Sequence, residues 1–85
     1  MDKDILAYVQ RSDYRKRVLR TINNEVLMPK EISDRSGIRI HHISKVLGEL
    51  RKKELIELIN PEVRKGRIYR LTEKGHEILN VINED

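Results

Sequence analysis

Ile43, Val46, Leu47 and Leu50 recur at i, i+3, i+4 and i+7, a spacing that puts all four on one side of a helix and requires that side to be buried. The helix it predicts runs from about Ile40 to Lys53. A second, shorter helix precedes it at close range. Pro29 suits the first helical position, where its missing N–H is not needed, and Gly37 suits the left-handed residue that stops a helix. Residues 29–36 therefore read as a two-turn helix, and a joint of three or four residues leads directly into the long one.

The rest of the chain supplies the surfaces these two helices bury. Tyr14, Val18, Leu19 and Ile22 repeat at helical spacing between Tyr14 and Asn23, with Lys16, Arg17 and Arg20 on the other side. Ile5, Leu6 and Val9 fit a helix at the N-terminal end, and Ser12-Asp13 offers a break or an N-cap. Past Lys53, the β-prone runs Leu55-Ile56-Glu57-Leu58-Ile59 and Arg67-Ile68-Tyr69-Arg70-Leu71 flank turn-rich residues 60–66 and predict a β-hairpin. Thr72 can cap a last helix that carries Ile78, Leu79, Val81 and Ile82. The fold class is mainly α with a small β-hairpin (α+β), in one domain over residues 1–85, because a chain of this length holds a single core.

Composition removes several function classes. With no cysteine, disulfide frameworks, thiolate zinc sites and cysteine nucleophiles are excluded together. There is no Gly-rich phosphate loop, no distinctive Ser-His-Asp motif and no acidic cluster at metal spacing, so the chain reads as a non-enzyme with no cofactor. The adjacent His41 and His42 diverge by ~100° on a helix and do not naturally chelate one metal ion, and His76 is isolated, so no metal site is expected. No run approaches the ~18 apolar residues of a membrane span, and Asp2-Lys3-Asp4 does not resemble a signal peptide. The expectation is a soluble, cytoplasmic protein without a membrane partner.

The charge of +4 matters less than its placement. Residues 39–70 hold nine basic side chains (Arg39, Lys45, Arg51, Lys52, Lys53, Arg64, Lys65, Arg67, Arg70) against four acidic ones, a net +5, whereas residues 73–85 carry Lys74 against four acids, a net −3. A basic middle segment points to a polyanion. Helix, short helix, tight joint, helix and hairpin is the order of a helix-turn-helix followed by a wing, in which the second helix of the pair enters the DNA major groove.

The residues then resemble winged helix-turn-helix transcriptional regulators of the arsenic-repressor-like and multiple-antibiotic-resistance-regulator-like groups and their small archaeal relatives. The resemblance rests on Glu31-Ile32-Ser33 through Gly37-Ile38, on Ile43 through Leu50, on Leu55-Ile56 and on Gly66 through Gly75, within roughly residues 14–80. It implies a dimeric, sequence-specific binder of double-stranded DNA that represses or activates transcription. Ser33 and Ser36 depart from the apolar residues common at those positions and leave Ile32 as the one obvious anchor of the short helix, which is expected to pack loosely. Arg39 stands where Ser, Thr or Asn would cap the recognition helix. A phosphate or guanine contact accounts for it, as does capping by water.

Helical geometry selects the DNA face. With Ile43, Leu47 and Leu50 inward, His41, Lys45, Gly48 and Lys52 point most nearly outward, flanked by His42, Ser44 and Glu49. Arg39, His42, Ser44 and Lys45 are assigned to bases and His41 to bases or phosphate. Lys52 and Arg51 are assigned to phosphate, and Gly48 lets the backbone approach closely. Neutral imidazole contacts in the groove would strengthen on protonation at low pH. In the wing, residues 61–67, Arg64, Lys65 and Arg67 are expected on adjacent backbone or in the minor groove, setting affinity more than sequence choice.

Two further expectations concern packing. Arg15 falls within the apolar arc of its helix, so its stem should lie on the core while the guanidinium pairs with Asp34 or Glu31. Segments 1–12 and 73–85 carry more apolar residues than one contact needs, which predicts a homodimer through them; the alternative is that they cover each other within one chain. A small-molecule effector is not identifiable from the sequence. The competing function is a winged-helix protein-interaction module of transcription or replication machinery, which has no need for nine basic residues in one segment.

Overall fold

A computed structural model describes residues 2–84 of the chain; Met1 and Asp85, the outermost residues of segments 1–12 and 73–85, lie outside the described residues. The elements are α1 (Lys3–Gln10), α2 (Asp13–Ile22), α3 (Pro29–Ser36), α4 (Ile40–Lys52), β1 (Ile56–Leu58), β2 (Tyr69–Leu71) and α5 (Glu73–Asn83). Their starts follow local chemistry. The Asp2 carboxylate accepts from the N–H groups of Asp4 and Ile5, Ser12 Oγ from that of Arg15 and Thr72 Oγ1 from that of Gly75, each satisfying donors that a helix leaves unpaired at its first turn.

α2 is the centre of the packing, since α1, α3, α4, α5 and β2 all lie against it. Its Val18, Leu19 and Ile22 are wholly enclosed, and Ile43, Val46, Leu47 and Leu50 of α4 close over them as their spacing requires. The core is aliphatic apart from Tyr69. Arg20 ties the last helix down, donating from Nη2 to the Ile82 carbonyl at 3.1 Å and from Nε to Asn83 Oδ1 at 3.1 Å. Among the described residues no helix is long and apolar enough to cross a membrane.

The short helix differs from expectation. Its serines hold the joint instead of loosening it: Ser33 Oγ donates to the Ile38 carbonyl and Ser36 Oγ accepts from the Ile38 N–H at 3.2 Å. Ile38 is thereby pinned in the core beside Ile32, and Arg17 Nη1 reaches the Ser36 carbonyl at 3.3 Å. Gly37 sits at φ +75°, the left-handed conformation that a side chain would disfavour, and turns the chain towards α4.

β1 and β2 pair antiparallel with Ile56 opposite Leu71 and Leu58 opposite Tyr69. A third short strand position is added at Leu27, which exchanges both backbone hydrogen bonds with Tyr69 at 3.0 and 2.9 Å. Periodicity gives no sign of it, because one paired residue is too short to show alternation. Beyond Ile59 the Asn60 carboxamide replaces the backbone ladder, accepting from the Ile68 N–H at 2.9 Å and donating to the Gly66 carbonyl at 3.0 Å.

The terminal segments bury most of their apolar residues within the single chain. Ile5, Val9, Ile78, Leu79 and Ile82 are enclosed, with α1 and α5 each packed on α2. Leu6 and Val81 remain half-buried.

Candidate nucleic-acid interface

Along the outer side of α4, Arg39, His41, Ser44, Lys45, Gly48, Arg51 and Lys52 are all exposed. Two grooves run beside this line. One, of about 460 Å³, separates α4 from the wing and is walled by Ser44, Gly48 and Arg51 on the helix and by Arg64, Gly66 and Arg67 opposite. The other, of about 530 Å³, lies between α4 and α1 and is lined by Tyr8, Lys45, Gly48, Lys52 and Lys53.

The wing is held in shape by its own hydrogen bonds. Asn60 clamps its two sides, the Val63 N–H donates to the Asn60 carbonyl, and Arg67 Nε donates to the Val63 carbonyl at 2.8 Å. Arg67 is thus half-buried along the groove wall, whereas Arg64 and Lys65 are exposed.

Most of the basic charge on this surface is unpaired, and the exposed Glu62 is the one acid of the wing. Among the described residues the ion pairs are Arg15–Glu49, Arg17–Asp13, Arg35–Glu25 and Arg70–Glu57. Among the described residues, Arg70 is the one of the nine basic residues in 39–70 with a carboxylate partner, and Arg39, Lys45, Arg51, Lys52, Lys53, Arg64, Lys65 and Arg67 form no ion pair there.

Glu49, the single acid on α4, would spoil this face if left bare. It is instead gripped by Arg15, whose Nε and Nη2 donate to Glu49 Oε1 and Oε2 at 3.3 and 3.2 Å while Nη1 donates to the Tyr8 carbonyl at 2.8 Å. The guanidinium also lies over the Tyr8 ring, 3.6 Å from its centroid, a favourable place for a planar cation. With side-chain exposures of 17% and 24%, the pair is shielded enough for attraction to outlast screening. This corrects the expected pairing of Arg15 with Asp34 or Glu31. α2 crosses α4, which brings Arg15 to Glu49, while Glu31 Oε1 is occupied by the Met28 N–H at 2.8 Å at the start of α3.

The sequence-derived site residues separate into groups. Ser44, Lys45 and Lys52 are brought onto the exposed line, with Arg64 and Arg67 across the groove and Lys65 exposed on the wing. Arg39 makes no side-chain cap and stays exposed at the start of α4 with His41. His42 turns towards α2: it is half-buried, with its ring 5.4 Å from that of Tyr14 and 4.1 Å from that of His41. Arg51 has a larger place than its sequence position suggests, since it stands seven residues from Ser44 and shares the wall facing the wing. That i, i+7 relation was the signal available in the sequence.

Gly48 lines both grooves without adding a side chain to either, and a Cβ built there meets nothing within 4 Å. Gly48→Ala is therefore expected to raise fold stability by roughly 0.5–1 kcal/mol through helix propensity. It should at the same time weaken duplex binding several-fold, because the methyl stands where a groove wall would approach. Thermal melting and duplex titration of the same sample check the two opposite signs.

No family model matches the sequence, and no curated protein matches it. Two solved structures share the fold. A MarR family transcription regulator superposes with a TM-score of 0.80 at 24% identity over 98% of this chain and 61% of that one. NadR in complex with 4-hydroxyphenylacetate superposes with a TM-score of 0.75 at 23% identity over 96% of this chain and 60% of that one. The chain therefore spans about three-fifths of the length of either, and the likeness establishes the winged helix-turn-helix fold.

Proposed function

We propose that this winged helix-turn-helix chain is a sequence-specific double-stranded DNA-binding transcriptional regulator. The observation that carries the reading is the set of eight cations on α4, its two cap residues and the wing that have no carboxylate partner among the described residues, with the one acid of α4 held by Arg15. A helix face built only to be solvated would pair these charges or mix their signs, and on the wing three cations outnumber the single acid Glu62. The fold shared with a transcription regulator supports the same conclusion.

The roles follow from position. α4 occupies the major groove, which is about 12 Å wide and admits one helix. Lys45, near the middle of the exposed line, donates to guanine O6 and N7 or to a nearby phosphate; Ser44, Arg39 and His41 reach base edges beside it. His42, half-buried against Tyr14, contributes at the margin. Arg51 and Lys52 hold the phosphates on either side of the helix, and Arg64, Lys65 and Arg67 hold adjacent backbone or enter the minor groove. Two copies bind a palindromic site with half-sites about one helical turn apart, and Leu6 and Val81 are the half-buried apolar residues that segments 1–12 and 73–85 offer to a second copy.

Selection of bound sequences from random duplex DNA, followed by salt titration, tests this. Enrichment of a palindrome whose affinity falls steeply with salt is the expected result; failure to retain any duplex at low salt refutes the proposal and favours a protein-interaction module. On the selected site, Lys45→Ala should cost about 1–3 kcal/mol and relax the preference at one base position, whereas Lys65→Ala should weaken all duplexes alike and lower the salt slope by about 1. Identical behaviour of the two variants would contradict the division of roles.

A further inference from the structure

α4 begins with an aliphatic side chain that stands at the end of the apolar stripe and is left outside the core. Ile40 follows the N-cap Arg39 and is 49% exposed, the most open of the large apolar residues left at the described surface. Both chain neighbours, Arg39 and His41, are polar and exposed, and these three residues line an open hollow with Lys30, Ser33 and Asp34 of α3. α3 and α4 already pack on each other, with Ile32, Ile38 and Ile43 of the two helices and their joint enclosed. At ~100° per residue, Ile40 stands within about 40° of Ser44 and Arg51 and about 20° from the enclosed Leu47 around the helix, so it continues the border between the buried stripe and the exposed line out to the α3 end of α4.

We infer that Ile40 is a specificity-determining residue of the DNA site and packs against the C5-methyl group of a thymine. The inference rests on the DNA-binding reading above. The N-terminal residues of a recognition helix are those that meet base edges. Among the four bases thymine alone displays a methyl group in the major groove, and an apolar side chain reads it by contact. The polar neighbours cannot do this: Arg39, Ser44 and Lys45 distinguish hydrogen-bonding patterns, which thymine and uracil share. A β-branched residue is also suited to the task, because in a helix its χ1 is restricted almost to one rotamer and its methyl groups are held in place before DNA arrives.

The test uses the full chain and the duplex obtained by selection, with each thymine replaced in turn by deoxyuridine, a change that removes one methyl group and no hydrogen bond. At one thymine in each half-site the replacement should weaken wild-type binding about 3- to 10-fold, the range expected for one buried methyl group and its packing. Ile40→Ala should bind thymine and deoxyuridine equally at that position, and Ile40→Val should retain the preference. Circular dichroism melting of both variants shows whether the fold is kept, as the exposure of Ile40 leads one to expect. The inference is overturned if no thymine shows a deoxyuridine penalty, or if the penalty persists unchanged in Ile40→Ala. Absence of binding to any duplex overturns the DNA reading and this inference with it, whereas tight binding without a methyl effect overturns this inference alone.

Discussion

Replacing Gly75 by alanine is expected to lower the melting temperature by about 12–24 °C, taking a cost near 3 kcal/mol and roughly 4–8 °C per kcal/mol for a domain of this size. Helix propensity alone predicts the opposite sign, a gain of about 1 kcal/mol. Geometry decides against propensity. A Cβ at Gly75 would stand 2.0 Å from the Leu55 carbonyl oxygen and 3.0 Å from its carbon, and that carbonyl cannot swing aside as a side chain would. It accepts the Thr72 N–H at 3.0 Å, while Thr72 Oγ1 donates to the Glu54 carbonyl at 2.6 Å, so the start of α5 is fastened to the segment between α4 and β1. Overpacking against flexible neighbours costs about 1–3 kcal/mol; a fixed backbone puts this site at or above the top of that range. Thermal unfolding of Gly75→Ala beside Gly48→Ala supplies the check. A variant at Gly75 that melts with the parent would contradict the close approach of α5 to Leu55.

The largest effect on DNA binding is expected from reversing charge on both walls of the wing groove. In the proposed complex, Arg51→Glu with Arg64→Glu would remove two phosphate contacts and set two carboxylates against the backbone. Each lost contact reduces the slope of log affinity against log salt by about 0.9, which at 0.1 M salt corresponds to roughly an eightfold loss per contact, and the added repulsion carries the total beyond about 100-fold. Both side chains are exposed, so stability should change by less than about 0.5 kcal/mol. Fluorescence anisotropy across a salt series measures both the loss and the slope. A double variant that binds within threefold of the parent would remove this groove from the DNA interface.

These two outcomes depend on different kinds of information. The helices were legible because α2 and α4 are amphipathic over several turns, and because Pro29, Gly37 and Thr72 act locally on the chain that bears them. The hairpin was legible in position but not in length: three residues of each apolar run are paired, and Asn60 takes over where the ladder stops. Leu27 was not legible at all, since its partner Tyr69 is distant in sequence and a single paired residue leaves no pattern. The serines of α3 misled for a related reason. Their composition reads as weak packing, but their hydroxyls are spent on the Ile38 backbone.

For the candidate site, the charged face of α4 followed from helical geometry, and the wing cations followed from composition. What sequence could not supply was the state of each charge. Glu49 on α4 reads as a negative mark within a basic face until α2 is laid across it and Arg15 takes it up; Arg15 itself had two nearer candidate acids in sequence. His42 and Arg67 carry the right chemistry, but one turns to Tyr14 and the other to the Val63 carbonyl, choices made by neighbours that come from other elements. The sequence by itself determined which residues lie on which side of each helix, because that depends on a fixed rotation per residue. Only the tertiary structure decided which cations remain unpaired, because pairing depends on which side chains two crossing helices bring within a few ångströms of each other.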